Sequence, residues 1–315
     1  MTAQPGPDNA PGPAESAAGD LGSPVGLVTV TYSPGDSLAA LLDSLPAASR
    51  RPVTVVLADN GSTDGSVERA AARPGVRLLR TGSNLGYGGA ANAGIAVLDP
   101  AIGWALVVNP DVVLGPGSID EMVAAAERHP DAGAVGPLIT TQDGVVYPSA
   151  RHLPSIGAGV GHAVLGWWWP TNPWTRRYRQ DAAEPVERSA GWLSGSCLLL
   201  RRAAFDQVDG FDPAYFMYFE DVDLGDRLAA AGWSSVYCPT ARAVHQGGHS
   251  TERDAAAMVD AHHHSAYRYL SRRYPEWWQA PLRLVLRLGL AARAFVSKRS
   301  AKVAAGASLP DRRAG

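Results

Sequence analysis

The sequence is poor in what a cross-linked or zinc-built scaffold needs, with two cysteines, Cys197 and Cys238, in 315 residues. Two cannot form a disulfide framework or a four-ligand zinc site. They read as buried apolar residues in reduced surroundings. No stretch reaches the ~18 uninterrupted apolar residues that a membrane-spanning helix requires. The opening residues, MTAQPGPDNA, lack the basic and apolar regions of a signal peptide, so a cytoplasmic location is expected. Charged residues are only 18% and apolar residues 46%. That excludes a coiled coil on one side and a disordered chain on the other. The length suits one large domain or two small ones.

Net charge is also scarce, at −2, but it conceals a split. Residues 281–315 carry eight basic side chains against one acid, Asp311, and leave 20 basic and 29 acidic residues to the rest. An acidic body with a basic tail has different partners from a neutral protein.

Residues 1–25 are Pro, Gly, Ala and Ser without apolar period and read as a disordered leader. Four continuous apolar runs follow: Leu27–Thr31, Val53–Ala58, Val76–Leu79 and Trp104–Val108. Helical spacing lies around 36–45, 64–72, 88–98 and 117–128. Buried strands alternating with helices indicate an α/β fold, a mostly parallel sheet flanked by helices. Ligands in such sheets sit at the carboxyl ends of the strands. Here those ends carry Thr31-Tyr32, Asp59-Asn60 and Asn109-Pro110-Asp111. Residues 150–188 are weakly periodic and rich in Trp, Pro and Arg, as in a long surface excursion. Trp192–Leu200 and Ser235–Cys238 read as strands, and Asp221–Ala231, 254–273 and 281–298 as helices. The domain reading is therefore a leader over 1–25, one α/β domain over 26–275, and a basic amphipathic helix and tail over 276–315.

Acidic residues collect at these strand ends and helix starts: Asp59, Asp64, Asp111 and Glu220-Asp221-Val222-Asp223. Carboxylates so placed can bind a base or ribose, hold a divalent ion against a diphosphate, or act as a general base. Asp59 and Asp64 also suit plain turns, since Asp-Asn-Gly and Ser-Thr-Asp-Gly favour them.

The ordered set Val28–Tyr32, Ala58–Gly65, Asn84–Asn92, Val108–Asp111 and Tyr218–Leu224 resembles family 2 glycosyltransferases of the GT-A fold, over about Val28 to Tyr274. The runs Tyr147–Arg151, Gly191–Cys197 and Phe216–Tyr218, with Trp169–Trp174 read loosely as a Trp-Pro loop, are similar to the family's cell-wall (arabinogalactan) linker rhamnosyltransferases. The resemblance implies a Rossmann-like GT-A domain with C-terminal helices. It implies an inverting enzyme that moves L-rhamnose from dTDP-β-L-rhamnose to the 3-hydroxyl of N-acetylglucosamine on a polyprenyl diphosphate. Another family 2 transferase using a different sugar nucleotide is the alternative.

By the same resemblance, Thr31 and Tyr32 lie against the base, Asp59 hydrogen-bonds base or ribose, and Asn84, Gly86 and Asn92 shape the loop at the sugar nucleotide. Asn109-Pro110-Asp111 stands where the family has its Asp-x-Asp motif, with an amide in place of the first carboxylate. Asp111, with Asn109 offering a neutral oxygen and His245 completing the site, implies a divalent metal, Mg2+ or Mn2+; a capping or surface role for His245 stays open. Asp221 is implied as general base, Glu220 being the neighbour most easily mistaken for it. Arg151, Trp192, Ser194 and Gly195 fall on the acceptor side by motif position, and Trp192 reads equally as a core aromatic.

Gly86–Ala91 imitates a dinucleotide-binding fingerprint, but it follows the third strand rather than the first. His262-His263-His264 and the His245/His249 pair lack further zinc ligands at workable spacing. The basic tail leaves a nucleic-acid binder as the rival reading. Its interleaved Leu284, Val285, Leu286, Leu288 and Leu290, behind Trp277-Trp278, fit an anionic membrane surface better. A helix docked on the domain is the plainer alternative. The expectation is a peripheral protein on the inner face of the membrane, with no nucleic-acid partner.

Overall fold

A computed structural model describes residues 22–154, 185–247 and 255–290. The leader, the Trp167–Trp169 run and its Trp-Pro loop, His249 and the tail beyond residue 290 lie outside the described residues.

Four strands form the parallel half of the sheet: β1 (Val25–Thr31), β2 (Val53–Asp59), β3 (Val76–Arg80) and β4 (Trp104–Val108), in the order β3-β2-β1-β4. The path continues through β11 (Cys197–Arg201), β6 (Ala132–Thr141), β12 (Ser234–His245) and β5 (Val112–Leu114). β6 and β12 run parallel to each other, but β11 is antiparallel to both β4 and β6, and β5 is antiparallel to β12. The short strands β7 (Val146–Tyr147) and β9 (Arg188–Ala190) pair antiparallel with β6 and β12.

Both faces of the parallel half are covered, which is why its strands read as unbroken apolar runs. Leu27, Leu57 and Leu106 point into one core, with Leu38 and Leu41 of α1 (Ser37–Ala48), Val67 of α2 (Ser66–Ala71) and Met122 of α4 (Ser118–Arg128). Val28, Val56 and Val107, one residue on, point into the other. That core is closed by Ile95 of α3 (Gly86–Ala96), Phe205 of α5 (Arg202–Gln207), and Leu224 and Leu228 of α6 (Glu220–Ala230). The Gly-x-Gly-x-x-Ala run lies on α3, where small residues let the helix press onto the sheet. A Cβ on Gly94 would stand 2.4 Å from Val28 Cγ1.

The Trp192–Leu200 run is not one strand. Trp192–Leu193 is β10, in a separate ribbon with β8 (Ala150–Arg151), and the chain turns at Ser194-Gly195-Ser196 before entering β11. β12 extends well beyond Ser235–Cys238, through a register break between Cys238 and Arg242, and delivers His245 to its end. α7 (Ala255–Arg273) is tied to the domain by Tyr269, whose hydroxyl donates to Asp226 Oδ2 at 3.0 Å, and by Arg273–Asp226 and Arg268–Asp212 ion pairs. A 3-10 turn at Trp277–Gln279 then leads into helix over residues 280–290.

Candidate active site

The site begins where β1, β2 and β3 end together. Their pairing sets Thr31 beside Asp59 and Asp59 beside Arg80. Asp59 is buried, and its two oxygens accept the Thr31 hydroxyl at 3.0 Å, the Ser62 N–H at 3.1 Å and the Arg80 guanidinium at 2.9 Å. Arg80 also pairs with Glu68. The next residue, Tyr32, is 56% exposed, an open aromatic face at the rim. Asp64 takes the plainer role: one oxygen caps the backbone N–H of Ser66 and the other accepts from Gly35 N–H.

Asn60 joins this rim to α3. Its amide nitrogen donates to the Gly86 carbonyl at 3.0 Å and its oxygen accepts from the Leu85 N–H at 3.2 Å. Asn84 accepts from Gly86 N–H at 3.0 Å, holding the first turn of the helix. The Asn92 amide is committed to the backbone of Phe211, donating to its carbonyl at 2.7 Å and accepting from its N–H at 2.9 Å. Asn84 thus holds the start of α3, while Asn92 holds the backbone at Phe211.

Beyond the end of β4, Asp111 Oδ1 lies 3.1 Å from His245 Nε2, both half-buried. The Gln246 N–H donates to the Asp111 carbonyl at 2.9 Å, fixing the end of β12 against this turn. A carboxylate oxygen and an imidazole nitrogen therefore converge, as first-row divalent ions accept. Among the described residues no three His, Cys, Asp or Glu side chains form a complete metal cluster.

The Asn109 N–H donates to the Ser196 carbonyl at 2.9 Å, joining this turn to the Ser194-Gly195-Ser196 turn. There the Gly195 N–H donates to Asp221 Oδ2 at 3.0 Å, and Asp221 Oδ1 accepts from the Val222 N–H at 2.8 Å. Burial raises the Asp221 carboxyl, against the pull of those two N–H groups and of the Arg151 charge. Glu220 beside it is buried, its Oε2 has no partner, and burial followed by the Asp221 charge pushes it up to about 8. Two adjoining buried carboxylates resist ionising together, so Glu220 holds its proton to higher pH than an ordinary carboxyl. The pair is delivered by Tyr218 and Phe219, both in the left-handed region at φ 67°, a backbone state that costs ~1–3 kcal/mol per non-glycine residue and collects at functional sites. Asp223 is not part of the pair; it binds Arg227 Nε at 2.6 Å.

Of the residues expected on the acceptor side, Gly195 is hydrogen-bonded to Asp221 and the Arg151 charge acts on it. β8–β10 pairing sets Arg151 opposite Trp192, with the guanidinium carbon 5.9 Å from the indole centroid. The indole N–H donates to the His152 carbonyl at 3.1 Å, so Trp192 is a half-buried wall of the ribbon. Ser194 and Ser196 share a hydroxyl hydrogen bond at 3.0 Å. Cys197, read from the sequence as a buried apolar residue, is buried, which pushes its thiol up to about 12 and leaves it inert at neutral pH.

Arg80 and Tyr87 also reach this site and were not singled out by sequence reasoning. Arg80 is found by extending the strand-end rule to β3, which is the one signal the sequence offers for it.

Comparison with known proteins follows the same lines. The family described as Glycosyl transferase family 2 matches residues 27–209. An N-acetylglucosaminyl-diphospho-decaprenol L-rhamnosyltransferase of Mycobacterium tuberculosis is 57% identical over 284 residues, covering 87% of this chain and 92% of that protein. Among solved structures, a mannosyltransferase from Pyrobaculum calidifontis in complex with GDP-Man and Mn2+ superposes with TM-score 0.53 at 17% identity, covering 91% of this chain and 76% of that one. GalNAc-T7 with UDP, GalNAc and Mn2+ gives TM-score 0.52 at 14% identity, over 72% and 44%.

Proposed function

The chain belongs to glycosyl transferase family 2, and from that membership we propose that it moves L-rhamnose from dTDP-β-L-rhamnose to the 3-hydroxyl of N-acetylglucosamine on a polyprenyl diphosphate, in cell-wall linker synthesis. The observation that carries the reading is the 57% identity to the mycobacterial rhamnosyltransferase across 92% of its length. The geometry is compatible with it. Asp221 takes the proton of the acceptor hydroxyl while that oxygen forms its bond to the anomeric carbon. The bond from that carbon to the diphosphate breaks, dTDP departs, and the β-linked donor gives an α-linked product. Tyr32 offers the base a stacking face, and the Thr31–Asp59–Arg80 network fixes the rim on which it rests.

The test is an assay of the purified chain with dTDP-rhamnose and a short-chain N-acetylglucosaminyl diphospholipid. Rhamnosyl transfer is the expected result. Transfer from a UDP-sugar and none from dTDP-rhamnose would replace the substrate while sparing the family.

Asp111 and His245 would hold a divalent ion. When bound, Mg2+ or Mn2+ neutralises charge on the departing diphosphate. The Asp111→Ala chain should bind Mn2+ in the presence of dTDP at least about 10-fold more weakly, read by electron paramagnetic resonance. Unchanged Mn2+ affinity would remove Asp111 from the metal site.

A lipid-linked acceptor also calls for contact with the membrane. No described helix is long and apolar enough to cross one. Trp277 is 83% exposed, and Trp278, Leu284, Val285 and Leu288 are exposed beside Arg283 and Arg287. Indoles and leucines interleaved with arginine suit the interface of an anionic bilayer. Flotation with phosphatidylglycerol vesicles should recover the full chain, and Trp277→Ala with Trp278→Ala should reduce recovery several-fold. Equal recovery of both proteins would dissociate this surface from the membrane.

A further inference from the structure

Tyr87 is unexplained by the function as it stands. It is the second residue of α3, on the donor side, yet its hydroxyl reaches across to the Ser194–Ser196 turn. The phenol O–H donates to the Gly195 carbonyl at 2.6 Å, and the N–H of that same glycine donates to Asp221 Oδ2 at 3.0 Å. The Tyr87 ring stands edge-on to Phe211 at 6.5 Å, and the Tyr87 N–H donates to the Phe216 carbonyl at 2.9 Å. Ring, backbone and hydroxyl are therefore each held by a different neighbour. A Cβ at Gly195 would touch Tyr87 Cε1 at 3.4 Å and Asp221 Cβ at 3.5 Å, so the three residues are in mutual contact through a glycine with no side chain to interpose.

We propose that Tyr87 is a positioning residue for Asp221: it fixes the Gly195 peptide from the donor side and so aims the N–H that orients the carboxylate. The hydrogen bond of Gly195 favours the ionised carboxylate, the form that accepts a proton. Losing its anchor loosens that bond, lets the carboxyl tilt from the acceptor hydroxyl and raises its proton affinity. Among the described residues, the charged and titratable groups around Asp221 and Tyr87 are Glu220 on the same helix as Asp221, Arg151 on β8, Cys197 on β11 and Asp111 beyond β4. Tyr87→Phe changes none of their charges at neutral pH. Any movement of the acid limb in that variant therefore reports the hydrogen bond.

The inference rests on Asp221 being the base, and the experiment separates the two. Rates are measured against pH for the wild type, Tyr87→Phe, Asp221→Asn and the double variant, with melting curves for each. Tyr87→Phe should melt cooperatively, keep the KM for dTDP-rhamnose within about twofold, lose about 10-fold in kcat as a displaced catalytic group does, and shift its acid limb to higher pH. In the Asp221→Asn background the same change should cost nothing further, because there is no base left to aim. Active Asp221→Asn protein would overturn the base assignment itself. With Asp221→Asn slowed to a measurable residual rate, an unchanged kcat and acid limb in Tyr87→Phe, or equal losses in both backgrounds, would overturn the positioning role. A rise in donor KM with a lowered melting point and an unmoved acid limb would make Tyr87 purely structural and overturn it as well.

Discussion

Asp221→Asn should lower kcat by about 10²–10⁴-fold, the usual contribution of a positioned general base. The amide retains the carboxylate's shape and one oxygen for the Gly195 N–H, giving up only the local bond from the next residue's N–H, so the turn and the donor rim stay in place. Calorimetric affinity for dTDP should change by less than about twofold, because the variant removes an interaction needed only in the transition state. The pH dependence adds a second signature. Burial raises the Asp221 carboxyl, and Glu220 is pushed up to about 8 by burial and by the Asp221 charge. The base works when ionised, so activity in the wild type rises with pH through a range above that of ordinary carboxylates and is lost as pH falls. Glu220, pushed up to about 8, is protonated while Asp221 ionises, so Glu220→Gln should leave that limb in place and preserve transfer at neutral pH. If Glu220→Gln is dead and Asp221→Asn active, the two carboxylates exchange roles.

Much of this site was legible in the sequence because it lies at strand ends. Thr31, Asp59 and Asp111 each terminate or directly follow an apolar run, and parallel pairing brings such ends to one edge. The direction of a strand is a different matter. β11 reads as apolar as its neighbours, and nothing in Cys197–Arg201 announces that it runs against β4 and β6. The turn that holds Asp221 was equally hidden. Ser194-Gly195-Ser196 interrupts an apolar stretch too briefly to break its pattern, so Trp192–Leu200 reads as one strand although its two halves join different sheets. Contacts distant along the chain left no local mark. Tyr87 meets Gly195 across 108 residues, and Arg80 meets Asp59 across 21. Asn92 illustrates a further limit: its motif position points to the sugar nucleotide, while its amide is spent on the backbone of Phe211.

The loop between β3 and α3 permits a sharper prediction, because steric and conformational costs can be separated there. Gly86 has φ +74°, and a Cβ on it would lie 2.2 Å from the Phe216 carbonyl oxygen, a backbone atom with no rotamer to move. Gly75, in the turn before β3, has φ +77° and nothing within 4 Å of its would-be Cβ. Gly75→Ala should therefore cost only the left-handed penalty, ~1–2 kcal/mol. Gly86→Ala should cost that plus about 1–3 kcal/mol of overpacking, a large share of the ~5–15 kcal/mol that holds a domain folded. Denaturant midpoints of the two variants read the difference directly, and equal midpoints would contradict the contact with Phe216. Activity should separate them further. Phe216 leads into Tyr218, Phe219 and the Glu220-Asp221 pair, and its carbonyl is held by the Tyr87 N–H. Pushing that carbonyl away displaces the base together with the residue that aims it. Folded Gly86→Ala protein should thus lose kcat at temperatures where Gly75→Ala retains it.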